Sequence, residues 1–120
     1  MASSQFTISR PEFTYAKLKL TTTGPDTITL DDLMAKAYYT DALRQYLGLT
    51  GESIPIDILQ NHNNTCWVRL PRLELDNFAA ALTTFKGRTE GETRWTLTLE
   101  GASDFLGTMV KDGPPINNRG

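Results

Sequence analysis

Residues 65–85, TCWVRLPRLELDNFAAALTTF, leave the least freedom to the fold of this chain. Cys66, Val68 and Leu70 alternate with Trp67 and Arg69, the period of a half-buried strand. Leu75, Phe78, Ala79, Leu82 and Phe85 then recur at helical spacing, so the following helix has one apolar face. Arg69 and Arg72 bracket Pro71 and hold two cations beside the corner. A strand feeding a helix this directly points to a sheet with helices packed on it.

Phe13 to Leu20 alternates Ala16, Leu18 and Leu20 with Tyr15, Lys17 and Lys19, a further strand, broken by Gly24-Pro25. A helix is expected from about Leu30 to Leu47, capped by Thr29, with Asp31 and Asp32 near its start and Gly48 as its stop. Ile54, Ile56 and Ile58 alternate with Pro55, Asp57 and Leu59, and Pro55 places that strand at an edge. Residues 61–64, NHNN, join it to the Cys66 strand as a hairpin. KGRTEGE reads as a charged loop before a last strand over residues 93–100. Ser103 is then expected to cap a short helix carrying Phe105, Leu106, Met109 and Val110.

The order βαββαβ, with right-handed crossovers, predicts a ferredoxin-like α+β sandwich. It has a four-stranded antiparallel sheet, both helices on one face, and the short C-terminal helix as an addition. A single domain over residues 12–111 is expected, between a flexible lead-in (1–11) and a disordered tail (112–120). At 120 residues such a chain buries roughly two thirds of its unfolded surface. No apolar run approaches the roughly 18 residues of a membrane span, and the N-terminus has no secretory pattern. The lone Cys66 leaves no internal disulfide, as in a reducing compartment.

Two surfaces are candidates for function. On the first helix, Leu30, Leu33, Met34 and Ala37 form a stripe suited to the sheet, while Tyr39, Leu43, Tyr46 and Leu47 form a second, rotated from it. Either the helix bends, or a loop covers that second stripe, or the stripe is a partner surface. On the sheet face away from the helices, Tyr15, Lys17, Lys19, Trp67, Arg69 and Arg94 gather aromatic and basic groups, as in readers of single-stranded RNA. Trp67 serves equally well there as the cover of a protein contact. The net charge of −2, from 14 acidic and 12 basic residues, argues against a tight autonomous nucleic-acid binder. The strand NTCWVRLP lacks the glycine and second aromatic of the RNA-recognition motif.

Catalytic patterns are missing. His62 is the only histidine and, with Cys66, makes too few ligands for zinc. No phosphate-cradling glycine loop or GxSxG element occurs. Asp31-Asp32 is better explained by helix capping than by acid–base chemistry, and TTTGPDT lacks the arginine of an acylphosphatase loop.

Trp67-Val68-Arg69-Leu70-Pro71-Arg72 and Phe78-Ala79-Ala80-Ala81-Leu82-Thr83 resemble the small ferredoxin-like protein subunits of ribonuclease P and ribonuclease MRP. Asp41 to Gly51, DALRQYLGLTG, is similar to the end of that family's first helix, and the resemblance runs from about Phe13 to Lys111. The acidic balance resembles the near-neutral companion member, the eighth Pop subunit, rather than the basic RNA-contacting one. The resemblance implies a non-catalytic subunit without a cofactor, since catalysis there belongs to the RNA and its metal ions. It implies a nuclear and nucleolar role in removing the 5′ leader of precursor tRNA and in processing precursor rRNA. The implied partners are a related ferredoxin-like subunit, the fifth Pop protein, in a heterodimer, other proteins of these particles, and the RNA component. Lys17, Lys19, Arg69, Arg72 and Arg94 would then meet RNA, and Tyr39, Leu43, Tyr46, Leu47 and Trp67 the partner. The competing expectation is a stand-alone ferredoxin-like domain that binds a small ligand or regulates.

Overall fold

A computed structural model describes residues 12–104. The chain runs β1 (Phe13–Thr23), α1 (Asp32–Leu47), a 3-10 turn (Gly48–Ser53), β2 (Asp57–His62), β3 (Thr65–Pro71), a 3-10 turn (Arg72–Glu74), α2 (Leu75–Thr84), β4 (Arg88–Glu90) and β5 (Thr93–Ser103). The strands form one antiparallel sheet in the order β2-β3-β1-β5-β4. Without β4 this is the ferredoxin-like order, with β1 and β3 at its centre. Ala16, Leu18, Cys66, Val68, Leu70 and Leu97 share one core with Tyr39, Leu43, Phe78 and Leu82 of the two helices. No described helix is long and apolar enough to cross a membrane.

The expected strand at Ile54 begins later, at Asp57, so Pro55 precedes it and only its edge position holds. The β2–β3 hairpin turns at Asn63 and Asn64, both left-handed, with φ of 52° and 59°. Asn64 also ties the fold together. Its side-chain oxygen accepts from the Leu30 N–H at 2.9 Å, and its carbonyl accepts from the Leu20 N–H at 2.9 Å.

The predicted charged loop KGRTEGE contains the fifth strand, β4, paired with β5 from Arg88↔Trp95 to Glu90↔Thr93. Its three residues are all exposed, so no apolar pattern announces it. Asp26, from the β1–α1 connection, holds this hairpin in place. Its carboxylate accepts from the Glu92 N–H at 2.8 Å and the Thr93 hydroxyl at 3.0 Å, while its own N–H donates to Thr93 Oγ1 at 2.6 Å. β5 extends to Ser103, so Ser103 is a strand residue; the expected last helix lies outside the described residues.

The cap of α1 is Asp31, not Thr29. Asp31 Oδ1 accepts from the Met34 N–H at 2.8 Å, and Leu30, expected within the helix, is buried in the loop before it. Asp31→Ala is therefore expected to lower stability by about 1 kcal/mol. Thr29→Ala should stay within about 0.5 kcal/mol. Urea denaturation of the two variants separates the assignments. At the far end, Gly48 takes φ 76° and its N–H donates to the Arg44 carbonyl, the expected stop.

The phase of α1 differs from expectation. Its inward face is Ala35, Tyr38, Tyr39, Ala42 and Leu43, spaced three and four apart. Leu33 and Ala37, from the stripe assigned to the sheet, are exposed instead.

Candidate functional site

The open face of the sheet brings the expected cations together but does not leave them free. Cross-strand register sets Tyr15 opposite Arg69 and Lys17 opposite Trp67, with Asp57 and Gln60 beyond them on β2. Arg69 Nη2 donates to Asp57 Oδ2 at 2.6 Å, and the guanidinium stands 4.9 Å from the Phe13 ring centre. Lys17 Nζ pairs with Glu100 at 3.7 Å and lies 6.0 Å from the Trp67 ring centre. A register shift between Lys17 and Leu18 interrupts the β1–β5 pairing beside this pair. Arg72 Nε pairs with Asp104 at 3.6 Å, and Arg94 Nε donates to the Lys86 carbonyl at 2.7 Å. Lys19 alone of the five is exposed with neither an ion pair nor a side-chain hydrogen bond among the described residues. To grip phosphate, the other four would have to give up contacts they already make.

Trp67 lies on the predicted face, yet it is only 1% exposed. An enclosed indole offers no surface for a base to stack on. The partner stripe of α1 also divides. Tyr39 and Leu43 belong to the core, Leu47 packs against it, and Tyr46 alone remains open to solvent. The bend-or-cover reading of that helix thus has a third answer: the stripe is the inner face itself.

The structure leaves a different set of apolar side chains exposed, Tyr46 with Leu49 and Leu73. Leu49 and Leu73 are 80% and 91% exposed. Leu73 borders a shallow groove of about 410 Å³ whose apolar wall is Leu47, Ile54, Pro55 and Pro71. Tyr46 and Leu49 flank Leu47 in the chain, at the end of α1 and the start of the 3-10 turn. Arg44 bridges Asp41 and Glu52 nearby, which fixes the turn against the helix. Leu73 carries no signal in the sequence, because only the fold brings it beside Leu47 at the helix end. Leu33, the remaining large exposed apolar residue among the described residues, lies at the opposite end of α1.

The titratable groups in the core are quiet. Burial first, and the Asp32 carboxylate second, push the Cys66 thiol up to about 12. Burial likewise pushes the Tyr39 hydroxyl up to about 12, with Cys66, Asp57 and Asp32 adding to it. Neither is ionised at neutral pH, so neither is a nucleophile or base there. Among the described residues no group of three or more His, Cys, Asp or Glu is placed to hold a metal ion.

The family model of the ribonucleases P/MRP protein subunit Pop8 matches residues 12–85, from the start of β1 past the end of α2. Among solved structures, a chain of the cryo-EM structure of yeast ribonuclease MRP superposes with a TM-score of 0.65. That pair is 21% identical, over 78% of this chain and 74% of the other. No curated protein matches the chain. At this identity the structural likeness establishes a shared fold, while the family match, which spans more than half of the chain, carries the assignment. The chain belongs to the Pop8 family, protein subunits of ribonucleases P and MRP that are not themselves catalytic.

Proposed function

We propose that this chain acts as an accessory subunit that enters the ribonuclease P/MRP particles as a heterodimer with a related ferredoxin-like subunit. In that role it serves removal of the 5′ leader of precursor tRNA and cleavage of precursor rRNA, in the nucleus and nucleolus. The supporting observation is the exposure of Tyr46, Leu49 and Leu73, apolar side chains that the domain leaves uncovered, with Leu73 beside the groove lined by Leu47 at the end of α1. The open, shallow shape of the adjoining groove suits a protein face better than an enclosed small ligand. Direct RNA contact is a secondary part of this reading. It rests on Lys19, because Lys17, Arg69, Arg72 and Arg94 are held by groups of the same chain.

Co-expression with the related subunit, followed by size exclusion, is expected to yield a stable heterodimer. Leu49→Glu and Leu73→Glu should each weaken it at least about tenfold, roughly 1.4 kcal/mol, while thermal unfolding of the free chain stays nearly unchanged. A chain that remains monomeric beside every protein of the two particles would remove this reading.

A further inference from the structure

The groove beside Leu73 offers an occupant few polar contacts. Leu47, Ile54, Pro55 and Pro71 line it with apolar groups, and the two prolines bring no N–H. Thr50 and Ser53 also line it, but their hydroxyls already donate to the Leu47 and Thr50 carbonyls, at 3.0 and 2.8 Å. The Asn77 amide donates to Glu74 Oε1 at 3.1 Å.

One lining residue carries a full charge. Glu74 is half-buried at the groove, and no cation pairs with it among the described residues. The arginines of the adjoining segments are engaged elsewhere: Arg44 holds Asp41 and Glu52, and Arg72 pairs with Asp104. Glu74 is the N-cap residue of α2, yet its side chain makes no capping hydrogen bond. The helix N-terminus favours a carboxylate there, which accounts for its presence in the free chain, where the shallow groove is open to water. A partner that fills the groove removes that water. Covering a carboxylate without a countercharge is costly, so the occupant has to supply a positive charge at Glu74. Leu73, the next residue in the chain and almost fully exposed, is covered in the same event.

We propose that this groove takes a protein segment of defined chemistry: a large apolar side chain against Leu73, with a lysine or arginine beside it at Glu74. The proposal rests on the heterodimer reading above and assigns the partner a basic, apolar contact face. Apolar contact alone is non-directional, whereas the charge pair fixes which way the partner lies and rejects an acidic or uncharged face.

The affinity of the full chain for the related subunit, measured by surface plasmon resonance at low and high salt, tests it. Glu74→Gln keeps an acceptor for Asn77 and should weaken binding about five- to tenfold at low salt, and Glu74→Lys more than about tenfold. Raising the salt should weaken binding of the unaltered chain several-fold, and Glu74→Gln should show a smaller salt dependence. Among single replacements of the partner's lysines and arginines by glutamate, one should restore binding to Glu74→Lys. Far-UV circular dichroism of both variants should match that of the unaltered chain, since no cap is lost. Should Glu74→Lys fail to fold, Glu74→Gln and its salt dependence decide. If Glu74→Gln binds as tightly as the unaltered chain, or with the same salt dependence, the proposal is overturned, while weakening by Leu73→Glu would still uphold the heterodimer. An unaltered chain that binds no protein of the two particles overturns both.

Discussion

Phe78→Ala is expected to lower the stability of this domain by about 3–5 kcal/mol, the usual cost of removing a buried phenylalanine ring. Phe78 is fully buried at the centre of α2 and meets the Tyr39 ring of α1 edge-on, with ring centres 6.0 Å apart. The cavity would open in the core where the two helices meet. Domains of this size hold roughly 5–15 kcal/mol in all, so the loss is a large fraction. Thermal unfolding should move down by roughly 12–40 °C. Leu73→Ala provides the contrast, since an exposed leucine should change stability by no more than about 0.5 kcal/mol. Chemical denaturation of both variants measures the difference directly. A loss under about 1 kcal/mol for Phe78→Ala would mean that the two helices do not meet through this ring.

Gly24→Ala should cost about 3 kcal/mol or more. Gly24 adopts φ 141°, a conformation that side chains rarely allow. A Cβ there would sit 2.6 Å from both the Cα and the Oγ1 of Thr93 and 2.7 Å from the Glu92 carbonyl oxygen. Two of these atoms are backbone and cannot step aside. The third, Thr93 Oγ1, is the acceptor of the Asp26 N–H, so the clash falls on the contacts that hold the β4–β5 hairpin to the rest of the domain. The midpoint of urea unfolding should fall with an unchanged slope, and amide protection should drop first in β4. Gly48→Ala is the control. Gly48 also has a positive φ, 76° with ψ −153°, but nothing lies within 4 Å of its missing Cβ, so only the backbone strain of about 1–3 kcal/mol is expected, without a clash.

Elements whose burial follows a simple period were legible in the sequence. β3 and α2 lie where the segment 65–85 places them, and the asparagines of the β2–β3 turn adopt the left-handed backbone their composition favours. The phase of α1 was not legible, because its inner face is built from alanines and tyrosines while Leu33 and Tyr46 point outward. A stripe drawn through the leucines therefore selects the wrong side. β4 escaped because an edge strand with one neighbour needs no apolar residue, and RTE has none. The cations of the open face were legible as residues but not as partners. Asp57 meets Arg69 across the β2–β3 hairpin, while Glu100 reaches Lys17 from a strand far away in the sequence, and both pairs are set by the sheet register. The alternation of β3 assigned Trp67 to its face correctly, yet no strand period says what lies above a side chain.

The exposed apolar set of Tyr46, Leu49 and Leu73 draws on three separate pieces of chain: the last turn of α1, the 3-10 turn after it, and the 3-10 turn that leads into α2. No linear stretch of the sequence contains it. A partner that reads this set therefore reads the completed domain, and an unfolded chain or a peptide cut from it presents nothing equivalent. Incorporation into a larger particle through such a surface would discriminate finished subunits from unfinished ones without any separate checkpoint.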